Sequence, residues 1–487
     1  MESTPKDPHA GQVPRLDPSI IIIFGITGDL AGRYLLPSLY HLMKDGLLHE
    51  QTEIIGITRG EITTEALFEK VELCVNEIDQ VCDPDALKAM HQRTTMFQMD
   101  LDDPAAYDAL LARLNGLEEQ KGICMNRLYY LSIPPHAYLP VIRLLGEHGL
   151  NDSCQHDQAV SRLLVEKPFG FDLESAQQLI SEIAKAFDEE QVFRIDHYMA
   201  KETVQNILTF RFQNPIFEAL WSKKHIASIE ISAKQKIGIE GRAAFYEPLG
   251  ALRDFIQSHL LQILGIVAMD QPSLLDSEHI HASKKTLLEQ LEPVPAGQVS
   301  ERATRGQYRA YRQEVKHSGS VTETYADVTV FIKNDRWQGV PVRLLTGKGL
   351  DERKTEICVS FYGAPGAATN QLRFRIQPNE GIELDLVTKK PGYAQAVQTT
   401  VMDFSYEHDF VDHGHPDAYE RVLVDAVRGD HTLFATSEEV LASWRVIQPV
   451  LDEWQKHTED LVIYKSGSSP AAITGRKTQA SKVSAGN

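Results

Sequence analysis

Three groups of residues in this chain have types and spacings suited to chemistry. The first is Gly25-Ile26-Thr27-Gly28-Asp29-Leu30, which follows the apolar run Ile20 to Phe24. Glycine at such a junction lets the backbone turn tightly and approach a pyrophosphate. The helix starting near Asp29 would offer free N–H groups and the positive end of its dipole. The spacing is Gly25, Gly28, Gly32 rather than the commoner GxGxxG, so the run reads either as a dinucleotide turn or as an ordinary strand-to-helix junction. The second group ends the next apolar run, where Thr58 and Arg59 follow Ile57. An acid there would hold the ribose hydroxyls of NAD, whereas an arginine suits the 2′-phosphate of NADP. A solvated surface arginine beside Glu61 is the alternative.

The third group combines acid–base and cationic side chains. Arg194 to Glu202 reads as a helix opening, with His197 and Lys201 four apart and so on one face. A histidine, a lysine and a helix N-terminus together suit a phosphate dianion; an exposed amphipathic helix with an incidental pair is the other reading. His259 lies on a helical pattern from Ala251 to about Ile266, in a stripe with Leu252, Phe255 and Ile256. It is either a core histidine or a general base for alcohol oxidation, since its proton affinity lies near neutrality. On an α-helix Asp254, five residues earlier, would sit about 140° away and would not be its partner.

Two kinds of element must position these groups. Up to about residue 195, buried strand signals (Ile20 to Phe24, Ile54 to Ile57, Arg127 to Ile133, Leu163 to Glu166) alternate with helical stretches. This order predicts a Rossmann-like parallel sheet domain. Beyond it, period-two alternation at Ile229, Ile231 and Ala233, at Val328, Val330 and Ile332, and at Leu372, Phe374 and Ile376 predicts a large, mainly antiparallel sheet. A turn at Gln377 to Gly381 leads into Ile382, Leu384 and Leu386, and helical patterns near 199–212, 250–268 and 417–456 would cover the sheet. The expected organisation is therefore a flexible tail at 1–19, a nucleotide-binding domain at 20–195, an α+β domain at 196–466 and a second tail at 467–487.

Composition narrows the function classes. A net charge of −19 argues against a nucleic-acid partner, which needs a basic surface. No apolar run reaches the roughly 20 residues that cross a bilayer, so no membrane role is expected. The polar N-terminus lacks the apolar core of a signal peptide. Cysteines 74, 82, 124, 154 and 358 form no close pairs and are odd in number. They read as reduced cytoplasmic thiols, without a disulfide framework or metal site.

Further segments sharpen the picture: EKPFG at 166–170, RIDHYMAKETVQNILTFRF at 194–212, GALRDFIQSHLLQIL at 250–264, TGKGLDERK at 346–354, QPNEGIEL at 377–384, TKKPG at 388–392 and YERVLVDAVRGD at 419–430. With GITGDLAGRYLLPSLY at 25–40 and ITR at 57–59, they resemble the glucose-6-phosphate dehydrogenases in family order from about residue 20 to 466. The resemblance implies oxidation of glucose 6-phosphate to its lactone, with NADP as hydride acceptor and no metal. It implies that His259 is the base and Asp196 the carboxylate that orients it. His197, Tyr198 and Lys201 would hold the phosphate, Asp254 and Gln235 the sugar hydroxyls, and Lys348 and Arg353 would approach the substrate. Lys167 would lie between coenzyme and sugar, followed by Pro168 in a cis bond. Gly25, Thr27, Gly28, Asp29, Leu30, Thr58 and Arg59 would bind the coenzyme. A homodimer or homotetramer is implied as well.

The chain departs from the family at Tyr34, where a lysine is usual, and at Gln235, where a glutamate is usual. The two changes are opposite in sign, so they read either as mutually compensating or as a retuning of substrate choice or affinity. Some members hold a second, structural NADP through basic residues of the antiparallel domain; Lys354 and Arg375 fit that pattern, but Cys358 and Asp385 stand at positions that would be basic, so that second site is expected to be absent.

Overall fold

The computed structural model describes residues 14–79, 82–152, 159–363, 368–410 and 416–475. The chain forms two compact units. The first takes Met1–Lys167, Leu179–His197 and Pro416–Phe434; the second takes Pro168–Gln178, Tyr198–His415 and Ala435–Asn487.

The first unit is built on six parallel strands: β1 (Ser19–Phe24), β2 (Glu53–Thr58), β3 (Thr94–Gln98), β4 (Asn126–Leu131), β5 (Ser161–Glu166) and β6 (Val192–Ile195). Their order is β3-β2-β1-β4-β5-β6. β1 and β4 are buried at every position, as strands covered on both faces must be, and the isoleucines of β1 suit that pleated, dry setting. The strand order reverses beside β1 and β4, the place where open α/β sheets bind ligands. Helix Ala418–Arg428, remote in sequence, belongs to this unit. His41 Nδ1 meets Glu420 Oε1 at 2.6 Å, and the Arg162 guanidinium donates to the Val427 carbonyl at 2.6 Å.

The second unit holds a nine-stranded mixed sheet. Its strands are β7 (Ile226–Lys234), β8 (Ala303–Tyr308), β9 (Tyr325–Val330), β10 (Val342–Gly347), β11 (Lys354–Phe361), β12 (Gln371–Gln377), β13 (Gly381–Lys389), β14 (Val397–Ser405) and β15 (Val462–Tyr464). The order is β14-β13-β12-β11-β7-β10-β9-β8-β15. The β7/β10 and β8/β15 pairs are parallel, the others antiparallel. Helix Leu261–Ala268 is buried throughout. Trp221 and Trp337 are anchored on it by indole N–H bonds of 2.7 Å to the Val267 and Ala268 carbonyls.

Several expectations need correction. The helical pattern at 417–456 is two helices, Ala418–Arg428 and Ser437–Lys456, in different units. Residues 14–19 are not loose: Leu16 is buried, and its N–H bonds to the Leu47 carbonyl at 2.9 Å. Residues 467–475 likewise form a bridge at Ser468 and a helix, Pro470–Thr474, capped by Ser469. Polar composition identified both stretches as tails, but a few backbone bonds and one apolar anchor suffice to order them. Residues 1–13 and 476–487 of those tails lie outside the described residues. Cys124 is disulfide-bonded, against the expectation of reduced thiols; spacing along a chain does not report proximity in the fold. Cys82 and Cys358 are not disulfide-bonded, and Cys154 lies outside the described residues. No helix among the described residues is long and apolar enough to cross a membrane.

Candidate active site

The candidate residues fall in both units. Those of the first gather at the carboxyl ends of its parallel strands. Gly25 follows β1 at φ +80°, and a Cβ there would lie 2.4 Å from the Ser132 carbonyl oxygen just past β4. No other residue type fits this position without moving backbone. Thr27, Gly28 and Asp29 are exposed beyond it, and Leu30 is half-buried. The chain then enters a π turn, Ala31–Leu35, that runs into helix Leu36–Lys44. An exposed turn with an enforced glycine, leading into a helix, fits a dinucleotide pyrophosphate. Thr58 ends β2 and exchanges hydrogen bonds with the backbone of Gly60 at 3.2 and 3.3 Å. Arg59 is exposed, and its carbonyl accepts from Gln98 Nε2 at 3.1 Å. A hydroxyl and a guanidinium, rather than an acid, therefore stand at the end of the second strand.

Lys167 follows β5, and Asp196, almost fully buried, follows β6. Next to Lys167 in the chain is a residue that sequence reasoning gave no role. Glu166 is buried at the end of β5 and accepts from the Tyr130 hydroxyl at 2.6 Å. Burial pushes its carboxyl up to about 7, opposed by the Tyr130 hydrogen bond and the charge of Lys167 and reinforced by Asp196. A charged residue closing an apolar strand was the available signal. His197 is half-buried, with its ring parallel to that of Tyr419.

The second unit holds the remaining candidates. The expected helix through His197 and Lys201 is absent: residues 197–200 form a turn, and the helix runs from Glu202 to Phe212 with Lys201 as its N-cap. The two residues do not share a helical face. Glu380, in the β12–β13 turn, accepts from Thr203 N–H and Oγ1 at 3.4 and 3.3 Å, closing the start of that helix. Burial raises the Glu380 carboxyl, while the charge of Lys201 opposes the shift. This role of the QPNEG segment was not foreseen. The Lys167–Pro168 bond is trans, the default for X-Pro bonds; the cis bond among the described residues is Gln377–Pro378.

His259 is fully buried on a π-helical segment, Leu252–Leu260, that leads into helix Leu261–Ala268. Its ring lies 4.5 Å from that of Tyr198 and 5.2 Å from that of Phe255. The π geometry revises the argument about Asp254. When N–H groups bond five residues back rather than four, residues five apart come to lie one turn above each other. Asp254, itself buried, therefore shares a side of the segment with His259. Glu323 sets the start of the segment: its carboxylate accepts from Leu252 N–H at 3.0 Å, and its carbonyl accepts from Ala251 N–H at 2.9 Å.

Gln235 and Lys348 stand just past the carboxyl ends of the parallel pair β7 and β10. The Lys348 ammonium donates to Gln235 Oε1 at 2.6 Å and lies 5.1 Å from the centre of the Tyr246 ring. Tyr246 is buried, and desolvation followed by Asp254 and Glu323 raises its phenol far above the ordinary range. It remains neutral between Asp254 and Lys348. Arg353 is exposed. His259, Tyr198, Asp254, Lys348 and Gln235 thus belong to one unit, whereas Asp196 and His197 belong to the other.

The chain resembles known proteins over most of its length. Residues 22–206 match the glucose-6-phosphate dehydrogenase NAD-binding domain, and residues 208–482 match the C-terminal domain of the same family. A glucose-6-phosphate 1-dehydrogenase of Chlamydia muridarum is 37% identical over 485 residues, covering 94% of each chain. One from Dictyostelium discoideum is 38% identical over 466 residues, covering 92% of this chain and 91% of the relative. Among solved structures, a glucose-6-phosphate dehydrogenase in complex with glucose-6-phosphate matches with a TM-score of 0.86 at 32% identity, covering 94% of this chain and 96% of that one. The Mycobacterium avium enzyme matches with a TM-score of 0.82 at 30% identity, covering 95% and 98%.

Proposed function

Because this chain belongs to the glucose-6-phosphate dehydrogenase family, we propose that it oxidises glucose 6-phosphate at C1 to the 1,5-lactone and passes the hydride to NADP. One observation carries the reading: 94% of the chain matches the fold of a relative solved with that substrate. Binding of a nicotinamide dinucleotide is supported by the enforced Gly25 turn, and NADP over NAD by Thr58 and Arg59 at the end of β2.

The reaction needs an acceptor for the C1 hydroxyl proton and one for the hydride. A bound nicotinamide ring supplies the second. His259 is the proton acceptor in this proposal, and its apolar ring contacts hold the imidazole in a dry setting where proton transfer is directed. Asp196 takes the role of orienting carboxylate. His197, Tyr198 and Lys201 are assigned to the phosphate; Gln235 and Asp254 to the sugar hydroxyls; Lys167, Lys348 and Arg353 to the approach of substrate. Gly25, Thr27, Gly28, Asp29 and Leu30 are assigned to the dinucleotide. Association into a homodimer or homotetramer is proposed from the resemblance.

The test is absorbance at 340 nm on mixing protein, glucose 6-phosphate and NADP, with NAD in parallel. Turnover with NADP exceeding that with NAD is expected. No turnover with either coenzyme would refute the activity, and a preference for NAD would refute the assignment of Arg59.

A further inference from the structure

The first unit contains a column of three aromatic rings. Tyr34, on the π turn Ala31–Leu35, stacks on Tyr419 with centroids 5.0 Å apart and planes 20° from parallel. Tyr419 lies over His197 at 6.2 Å and 11°. Offset stacks at about 4.5–7 Å are the favoured geometry for such rings. The outer ring faces water, with Tyr34 46% exposed, whereas Tyr419 is only 8% exposed.

The middle ring is fixed by its own helix. Tyr419 N–H donates to Asp417 Oδ1 at 2.9 Å, and the neighbouring Glu420 bonds His41 at 2.6 Å. Burial, followed by the charge of Glu166, raises the Tyr419 phenol above its ordinary range. It is therefore a neutral plate between an exposed phenol and an imidazole. The π turn presents Tyr34 to this plate. A lysine at position 34 would act on an anion by charge; a phenol ring acts by immobilising what it touches.

We propose that Tyr34 is a positioning residue, which through Tyr419 fixes the plane of the His197 imidazole for the substrate's phosphate. The inference rests on the reading of His197 as a phosphate ligand. It predicts that position 34 contributes to discrimination between phosphorylated and unphosphorylated sugar through ring area, with no need of its hydroxyl.

Steady-state kinetics of wild type, Tyr34→Ala and Tyr34→Phe with glucose 6-phosphate and with glucose test it. Losing one aromatic contact should raise KM for glucose 6-phosphate roughly 2- to 12-fold in Tyr34→Ala. The ratio of kcat/KM for glucose 6-phosphate over glucose should fall by the same factor, while Tyr34→Phe keeps the wild-type ratio. An unchanged ratio in Tyr34→Ala, or equal impairment of Tyr34→Phe and Tyr34→Ala, would overturn the inference. Calorimetric titration with glucose 6-phosphate gives the same comparison without turnover. A wild type that binds the sugar phosphate but never reduces NADP would therefore sink the proposed activity and leave the column to be judged on binding.

Discussion

His259 is fully buried among rings, a setting in which a histidine serves either packing or proton transfer. His259→Asn keeps much of the volume and removes the base. It should lower kcat by roughly 10²–10⁴ with the fold intact by circular dichroism; a loss confined to stability would return His259 to the core. Glu166 makes a second prediction. Its carboxyl is raised to about 7, so the folded chain holds a proton that the unfolded chain releases at lower pH. Its contribution to stability is complete below the usual carboxylate range and is lost as pH rises to about 7, a window worth up to about 3 kcal/mol. Glu166→Gln should flatten the fall in Tm between pH 5 and 8, measured against wild type across that range. The two departures from the family are partnered separately. Tyr34 stacks on Tyr419 in one unit, and Gln235 accepts from Lys348 in the other. Opposite signs alone suggested compensation, but separate partners favour independence. Tyr34→Lys and Gln235→Glu should combine additively in ln(kcat/KM) within about 0.5 kcal/mol, and a larger coupling would restore the compensation idea.

Elements explain why some positions were legible and others were not. Strands β1, β2, β4 and β5 were visible as apolar runs, and β9, β12 and β13 as alternating ones, because burial on two faces or on one leaves those patterns. β3 and β6 are only five and four residues long and mix polar with apolar positions, so they left no pattern. The π segments at Ala31–Leu35 and Leu252–Leu260 were hidden because an apolar stripe looks alike at either pitch over two turns. That blind spot misplaced Asp254 relative to His259. Glu323, Glu380 and Tyr419 were missed because their contacts are long-range. The glycine turn was legible because its requirement is local. Gly25→Ala should abolish tight NADP binding in a fluorescence titration, since its Cβ would strike the Ser132 carbonyl; unchanged affinity would show that the turn lies away from the nucleotide.

Across the whole molecule, the large sheet carries charged side chains in register: Arg343 opposite Glu230, then, past the neutral Cys358, Arg373 and Glu383 on successive strands. Arg373 meets Glu383 at 3.0 Å and Asp385 at 2.6 Å, while Arg375 meets Glu383 at 3.1 Å. Lys354 is paired with Glu356 at 2.7 Å. These cations are matched by carboxylates of the same sheet, which supports one tightly held nucleotide per chain; equilibrium dialysis finding two would contradict it. The route of the chain has a consequence for biosynthesis. The first unit receives helix Ala418–Arg428 from Pro416–Phe434, while Pro168–Gln178 leaves it for the second. A ribosome that has released the six parallel strands has not yet supplied Tyr419 or Glu420. The nucleotide-binding half can complete its native packing only after the other half has largely emerged, so a nascent chain halted near residue 200 should remain protease-sensitive and dependent on chaperones.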